Sequence, residues 1–136
     1  MARKIINSQH APQTIGPYDQ AVWADGLLFL SGQIPLDPAT MKLVEGDIGI
    51  QTRRVFDNLR AVLNSAGLTF DDVVKVNVYL ASMKDFAGMN SIYQTHFNAP
   101  YPARSTVAVA GLPLGALVEI ELVAKKIREN HCEQLV

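Results

Sequence analysis

The chain has 136 residues, of which 49% are hydrophobic and 18% charged, with 12 basic residues against 13 acidic ones and a formal net charge of -1. That composition is globular and not disordered, carries no basic footprint for nucleic acid, and contains no apolar run of the ~18 residues that a membrane-spanning helix needs. The single cysteine, Cys132, cannot close an internal disulfide and has no metal cluster to join, which fits a reducing, cytoplasmic setting.

This length suits one domain, 1–136, with one core. The charged fraction falls below the usual ~25%, which suggests that part of the surface is hidden in an oligomer. The opening Met1–Asn7 lacks the apolar core and small-residue cleavage site of a signal peptide. Ile5–Gln13 reads as a short strand or extended lead, and Gly16-Pro17 punctuates it. Tyr18–Ala24 alternates loosely and Asp25-Gly26 signals a hairpin turn. Leu27–Ile34 follows as a strand without clean alternation, which implies cover on both faces. Ser31-Gly32 interrupts that strand, either as a bulge or as backbone exposed to a ligand, and the two readings are compatible.

Pro35–Glu45 reads as a loop. Asp47 or a neighbour starts a helix that runs to Ala66, and Gly67 stops it. Val55, Leu59, Val62, Leu63 and Ala66 form its core stripe, while Arg53, Arg54, Asp57, Asn58 and Arg60 read as its solvated face. Val73–Leu80 is the clearest strand, with valines and Leu80 alternating against Lys75, Asn77 and Tyr79. Asp85 is placed to cap a second helix that ends before Pro100, with Phe86, Met89, Tyr93 and Phe97 as its core face and Asn90 beside it. His10 and His96 are assigned no role in chemistry. The tail Glu129–Val136 reads as frayed.

Between the second helix and the tail lie two β-rich runs, Pro102–Ala110 and Leu117–Glu121, around Gly111-Leu112-Pro113-Leu114-Gly115. They read as a hairpin with a longer connection, in which Ala108 faces Val118 and Arg104 faces Leu122. Charges inside apolar strands need a reason. Arg104 and Glu119 are either a structural ion pair or solvent-facing edge charges, or else an anion clamp and a proton-handling group. The register stays open at this point, because a slip of one residue moves a side chain to the other face. The element order β-β-β-α-β-α-β-β suggests an α+β layer with both helices on one sheet face, and self-association is an economical cover for the other.

Several spaced motifs carry a resemblance that spans nearly the whole chain. They are Ile15-Gly16-Pro17-Tyr18 with Gln20-Ala21, Leu30-Ser31-Gly32-Gln33-Ile34-Pro35, Ala66-Gly67-Leu68, Asp72–Lys75, Asp85-Phe86, Asn90, Tyr93, Pro102-Ala103-Arg104-Ser105, Gly111-Leu112-Pro113 and Val118–Glu121. The sequence resembles the RidA-type (YjgF) reactive intermediate deaminases. The resemblance implies a chorismate-mutase-like fold, a mixed sheet with two helices on one face, assembled as a homotrimer with sites in clefts between subunits. It implies hydrolysis of 2-imino acids such as 2-iminobutanoate and 2-iminopropanoate to 2-keto acids and ammonia, without metal or organic cofactor. Carried over position by position, Arg104 matches the carboxylate-binding arginine and Glu119 the water-positioning glutamate. Tyr18, Ser31, Gly32 and Asn90 match pocket-lining residues. Thr106 stands where many members have cysteine, which puts substrate preference in doubt. Two other readings remain open: a small-carboxylate-binding module without turnover, and an RNA-directed translation inhibitor, against which the near-neutral charge argues.

Overall fold

The computed structural model describes residues 3–126, so Cys132 and the tail lie outside the described residues. Eight strands and two α-helices follow one another. They are β1 (Lys4–Ile6), β2 (Ala21–Ala24), β3 (Leu27–Gln33), β4 (Leu36–Asp37), β5 (Lys42–Leu43), α1 (Ile48–Ser65), β6 (Val73–Leu80), α2 (Phe86–Tyr93), β7 (Ala103–Ala108) and β8 (Val118–Lys125). Six strands form one sheet in the order β1-β2-β3-β8-β6-β7, and β4 with β5 make a separate two-stranded ribbon. All pairings in the large sheet are antiparallel except β6 with β7, so the sheet is mixed.

Local chemistry explains most boundaries. Asp25 and Gly26 both adopt positive φ, 50° and 77°, as a two-residue hairpin turn between β2 and β3 requires. The Asp47 side chain accepts from the Ile50 N–H and caps α1. At the other end Gly67, with φ 76°, lets its own N–H bond to the Asn64 carbonyl and the Leu68 N–H to the Leu63 carbonyl, which satisfies the last turn. Asp85 makes no side-chain cap, contrary to the sequence expectation. Ser82 accepts from the Lys84 N–H and opens a 3-10 turn (Met83–Asp85) that leads into α2. The helix also ends at Tyr93, so Phe97 packs into the core from the segment beyond it.

The core lies between the helices and one sheet face. Val55, Phe56, Leu59, Val62 and Leu63 of α1 and Met89 of α2 are fully buried with Leu28, Val76, Val78, Leu80, Val118 and Ile120 from the strands. Burying each large side chain contributes about 1.5–3 kcal/mol. His96 belongs to this packing: its ring stacks on Phe56 at 4.2 Å and 10°, and its Nδ1 lies 3.1 Å from the Ile92 carbonyl. The opposite sheet face carries Lys75, Asn77, Tyr79, Ser105, Val107, Glu119 and Glu121, and the described chain leaves it open.

Two sequence expectations are corrected here. The runs around Gly111–Gly115 are not a hairpin. β7 lies at the sheet edge, parallel to β6, and β8 inserts between β3 and β6. A strand, helix and strand in succession (β6, α2, β7) make the crossover that parallel pairing needs. Asn58, read as solvated, is fully buried. Its Nδ2 donates to the Ile34 and Leu36 carbonyls, and its Oδ1 accepts two bonds from Arg54.

Candidate active site

Topology separates the two charges. Arg104 is level with Val76 and Glu119 with Tyr79, three rows apart along β6. Val76 faces the helices and Tyr79 the open side, so Arg104 and Glu119 project from opposite faces of the sheet. Two strand spacings and three residue rises put their backbones about 14 Å apart. Among the described residues the one ion pair is Arg60 with Asp57, so Arg104 and Glu119 form no ion pair within one chain.

Glu119 stands on the open face in a cavity of about 540 Å³, with Tyr18, Ser31, Gly32, Ile34, Met41 and Leu114 among its walls. The β3 register shifts between Leu30 and Gln33, so Ser31-Gly32 is the bulge that the sequence suggested. The bulge places Gly32 directly over Glu119: a Cβ built on Gly32 would lie 3.0 Å from the Glu119 Cδ and 3.1 Å from its Cγ. Glycine is required here for the close approach of the carboxylate. The Ser31 hydroxyl donates to the Asp19 carbonyl at 2.6 Å and its N–H donates to the Gln20 carbonyl, which hold the segment carrying Tyr18 against β3. Tyr18 itself is half exposed at the cavity wall. Burial, and after it the Glu121 carboxylate two residues along the same strand, push the Glu119 carboxyl above its ordinary value of 4.5. Glu121 is held by Asn77, whose Nδ2 donates at 3.0 Å.

Arg104 occupies a second, smaller hollow of about 320 Å³, with Asn90, Tyr93, Gln94, Tyr101 and Pro102. Its Nη1 donates to the Asn90 Oδ1 at 2.7 Å. The guanidinium lies over the Tyr93 ring, 4.5 Å from the centroid, and 5.6 Å from that of Phe86. All three of these partners are neutral. They orient the fork without cancelling its charge, which suits a carboxylate clamp. Burial pushes the Tyr93 phenol up, against the opposing pull of Arg104. Thr106, two residues on, shares the helix-facing side with Arg104, and its enclosed hydroxyl has no hydrogen-bond partner among the described residues.

The structure therefore brings Tyr18, Ser31, Gly32 and Glu119 together, and Arg104 with Asn90, but not the two groups with each other. Sequence reasoning missed two buried amides, Gln20 in the cavity wall and Gln51 on α1. Gln20 accepts from the Ser8 N–H at 2.6 Å and donates to the Ser8 and Pro12 carbonyls. Gln51 donates to the Val44 carbonyl and accepts from the Leu117 N–H at 2.9 Å. Gln51 is in helical phase with Val55, and Gln20 lies within the alternating run Tyr18–Ala24, so their placement on packed elements was the available signal. Among the described residues no group of three or more His, Cys, Asp or Glu converges as metal ligands, and no helix is long and apolar enough to cross a membrane.

A layer of two helices on a mixed six-stranded sheet, with a carboxylate at a β3 bulge and an arginine at the β7 edge, defines an α+β protein with two charged hollows. Residues 8–126 match the family model described as Endoribonuclease L-PSP, and the chain belongs to that family, also known as YjgF or Rid. Protein DfrA of Myxococcus xanthus is 52% identical over 91% of this chain and 96% of its own length. The mouse protein named 2-iminobutanoate/2-iminopropanoate deaminase is 45% identical over 90% of each chain. The crystal structure of a putative endoribonuclease from Thermotoga maritima superposes with a TM-score of 0.89 at 45% identity, covering 93% of this chain and 99% of that one.

Proposed function

We propose that this protein hydrolyses 2-imino acids of the 2-iminobutanoate and 2-iminopropanoate type to 2-keto acids and ammonia. The observation that carries this reading is Glu119: a half-buried carboxylate in an apolar-walled cavity, raised in pKa and paired with no cation among the described residues. A structural carboxylate would be paired or solvated. A carboxyl raised toward neutral pH is suited to taking and returning protons. The mouse relative's name supports the same chemistry.

The steps balance without an added redox partner. Glu119, ionised, takes a proton from water as the water oxygen bonds to C2 of the protonated imine, and the C=N π pair moves onto nitrogen. Glu119 then returns that proton to the amine nitrogen of the carbinolamine. The C–N bond breaks with its electron pair on ammonia as Glu119 takes the proton of the C2 hydroxyl, the 2-keto acid remains, and that proton passes to the ammonia, which leaves as ammonium. Arg104 holds the substrate carboxylate through its fork and stays charged throughout. Tyr18, Ser31 and Gly32 shape the Glu119 side of the pocket, and Asn90 and Thr106 the Arg104 side.

A four-carbon substrate cannot span opposite faces of one sheet across about 14 Å. The working site therefore takes its Arg104 edge from a second copy laid against the open face. Exposed Phe29 and Val107 on that face support such cover. We place the protein in a homotrimer with three such shared sites, acting in the cytoplasm. The test couples a threonine dehydratase to this protein and follows ammonia and 2-oxobutanoate release. Acceleration over the spontaneous rate is expected. A rate equal to the uncatalysed one, with binding of a 2-keto acid intact, would leave a carboxylate-binding module instead.

A further inference from the structure

Four of the large hydrophobic side chains that the described chain leaves exposed rim the two charged hollows. Ile15, Tyr18 and Leu114, at 80%, 50% and 68% exposure, form an apolar collar around the Glu119 cavity. Tyr101, 65% exposed, stands at the rim of the Arg104 hollow. Single exposed apolar groups need no explanation, but a collar of three around one hollow marks a contact surface. Tyr101 is held ready for such a contact. Pro102 restricts its backbone to extended conformations, and Pro100 fixes the residue on its other side. The side chain adds only two rotatable bonds. Burying this ring against another surface therefore loses little entropy and removes much apolar area from water.

The chemistry brings the two rims together. The carboxylate held by Arg104 is bonded directly to C2, and Glu119 must reach the water on C2 within hydrogen-bond distance. The guanidinium of one copy and the Glu119 carboxylate of the next then lie within about 9 Å of each other. At that spacing a side chain on the rim of the Arg104 hollow meets the collar of the neighbouring Glu119 cavity. We propose that Tyr101 seats on the collar Ile15, Tyr18 and Leu114 of the neighbouring copy, as a positioning residue that sets the Arg104–Glu119 distance in the shared site. This rests on the imine-hydrolase reading with its shared site and adds the contact that aligns the two halves.

The experiment measures 2-iminobutanoate hydrolysis, 2-oxobutanoate binding and thermal unfolding for Tyr101→Ala, Tyr101→Phe, Ile15→Ala and the Tyr101→Ala/Ile15→Ala double variant. A misplacement of about 1 Å lowers rates by about 10²-fold, so Tyr101→Ala is expected to lose about 10–100-fold in kcat. Binding of 2-oxobutanoate, which Arg104 governs, should persist. Tyr101→Phe keeps the ring and should stay near wild type. The double variant should be no slower than Tyr101→Ala, since both changes remove one contact. Refolded in equal amounts with Glu119→Gln, Tyr101→Ala should regain about a quarter of the wild-type sites, because the lesions lie on different halves. Refolded with Arg104→Lys it should regain none, because Tyr101 and Arg104 share a half. Wild-type turnover in Tyr101→Ala, additive losses in the double variant, or recovery with Arg104→Lys overturns the contact. Unfolding of Tyr101→Ala, or dissociation of its assembly in sedimentation, makes the ring a structural anchor and overturns the positioning role. If Arg104→Lys and Glu119→Gln regain nothing together, or the wild type hydrolyses no imine faster than buffer, the parent reading fails first and the contact falls with it.

Discussion

Gly32→Ala tests whether the position of Glu119 matters more than its mere presence. The substitution adds one methyl group, 3.0 Å from the Glu119 Cδ and 3.1 Å from the Cγ, closer than packed carbons approach. Something must move, and the free end of the glutamate side chain yields before the β3 or β8 backbone. A rotamer displaced by some 30° costs only about 0.5–1.5 kcal/mol, so the melting temperature should fall by a few degrees at most. The carboxylate, however, shifts by about 1 Å or more, and a misplacement of that size lowers kcat/KM by about 10²-fold. The backbone N–H of residue 32 survives the change, so loss of a ligand hydrogen bond would not explain the result. The assay is imine hydrolysis by the single variant, Glu119→Gln, and the double variant, with thermal unfolding of each. If Gly32 acts through Glu119, the double variant is no slower than Glu119→Gln alone. Wild-type turnover in Gly32→Ala, or additive losses in the double variant, would refute the reasoning.

Glu119→Gln should slow turnover by about 10²–10⁴-fold while an unreactive 2-keto acid still binds, measured by calorimetry on the same preparation. Because folding raises the Glu119 pKa, its ionised form costs stability above that pKa and the cost fades as pH falls toward 4.5; Glu119→Gln should therefore melt higher than wild type at neutral pH but not in acid. Arg104→Lys keeps the charge and loses the fork, so kcat/KM should drop at least about tenfold with the fold intact by circular dichroism. Glu121→Gln removes a negative neighbour of Glu119, so the acidic limb of the rate profile should move to lower pH; an unmoved limb would assign it to another group. Refolding Arg104→Lys with Glu119→Gln in equal amounts should restore about a quarter of the wild-type sites if each site draws on two copies, and none if each copy is self-sufficient.

Much of the fold was legible because local signals agreed with the tertiary answer. The Asp47 cap, the Gly67 stop and the stripe Val55, Leu59, Val62, Leu63 and Ala66 all specify α1, and the structure buries that stripe completely except for Ala66, which is half-buried at the C-cap. Asp25-Gly26 fixed the β2–β3 turn. What failed was strand adjacency. Gly111–Gly115 has the composition of a hairpin loop, but the segment steps across the end of β6: the Val109 N–H donates to the Leu80 carbonyl and the Ala81 N–H to the Leu117 carbonyl. Turn chemistry is local and does not say which strand lies between. The succession β6, α2, β7 held the missing information, since consecutive strands joined by a helix commonly pair in parallel. Asn58 failed for a related reason. An amide on a helix reads as solvated unless it is known that the Ile34 and Leu36 carbonyls, at the turn from β3 into β4, are brought against it.

The corrected topology changes what the site residues mean. On a hairpin, Arg104 and Glu119 could have neutralised each other, and both charges would have been explained by the fold. On opposite faces they cannot. Neither has an opposite charge beside it: Arg104 lies against neutral Asn90 and Tyr93, and Glu119 lies below Gly32 with the like-charged Glu121 two residues along, so the chain folds with two charges whose partners it does not supply. Buried amides tie down the neighbouring backbone: Gln20 and Asn58 bond groups in and behind the cavity wall, Gln51 bonds the Val44 carbonyl and the Leu117 N–H, and α1 is capped at both ends. An unpaired carboxylate in a hollow whose surrounding loops are tied down by buried amides is a cost that the fold alone does not explain. A purely structural role for Glu119 would predict the reverse, with a cation within reach and the bulge at Gly32 filled.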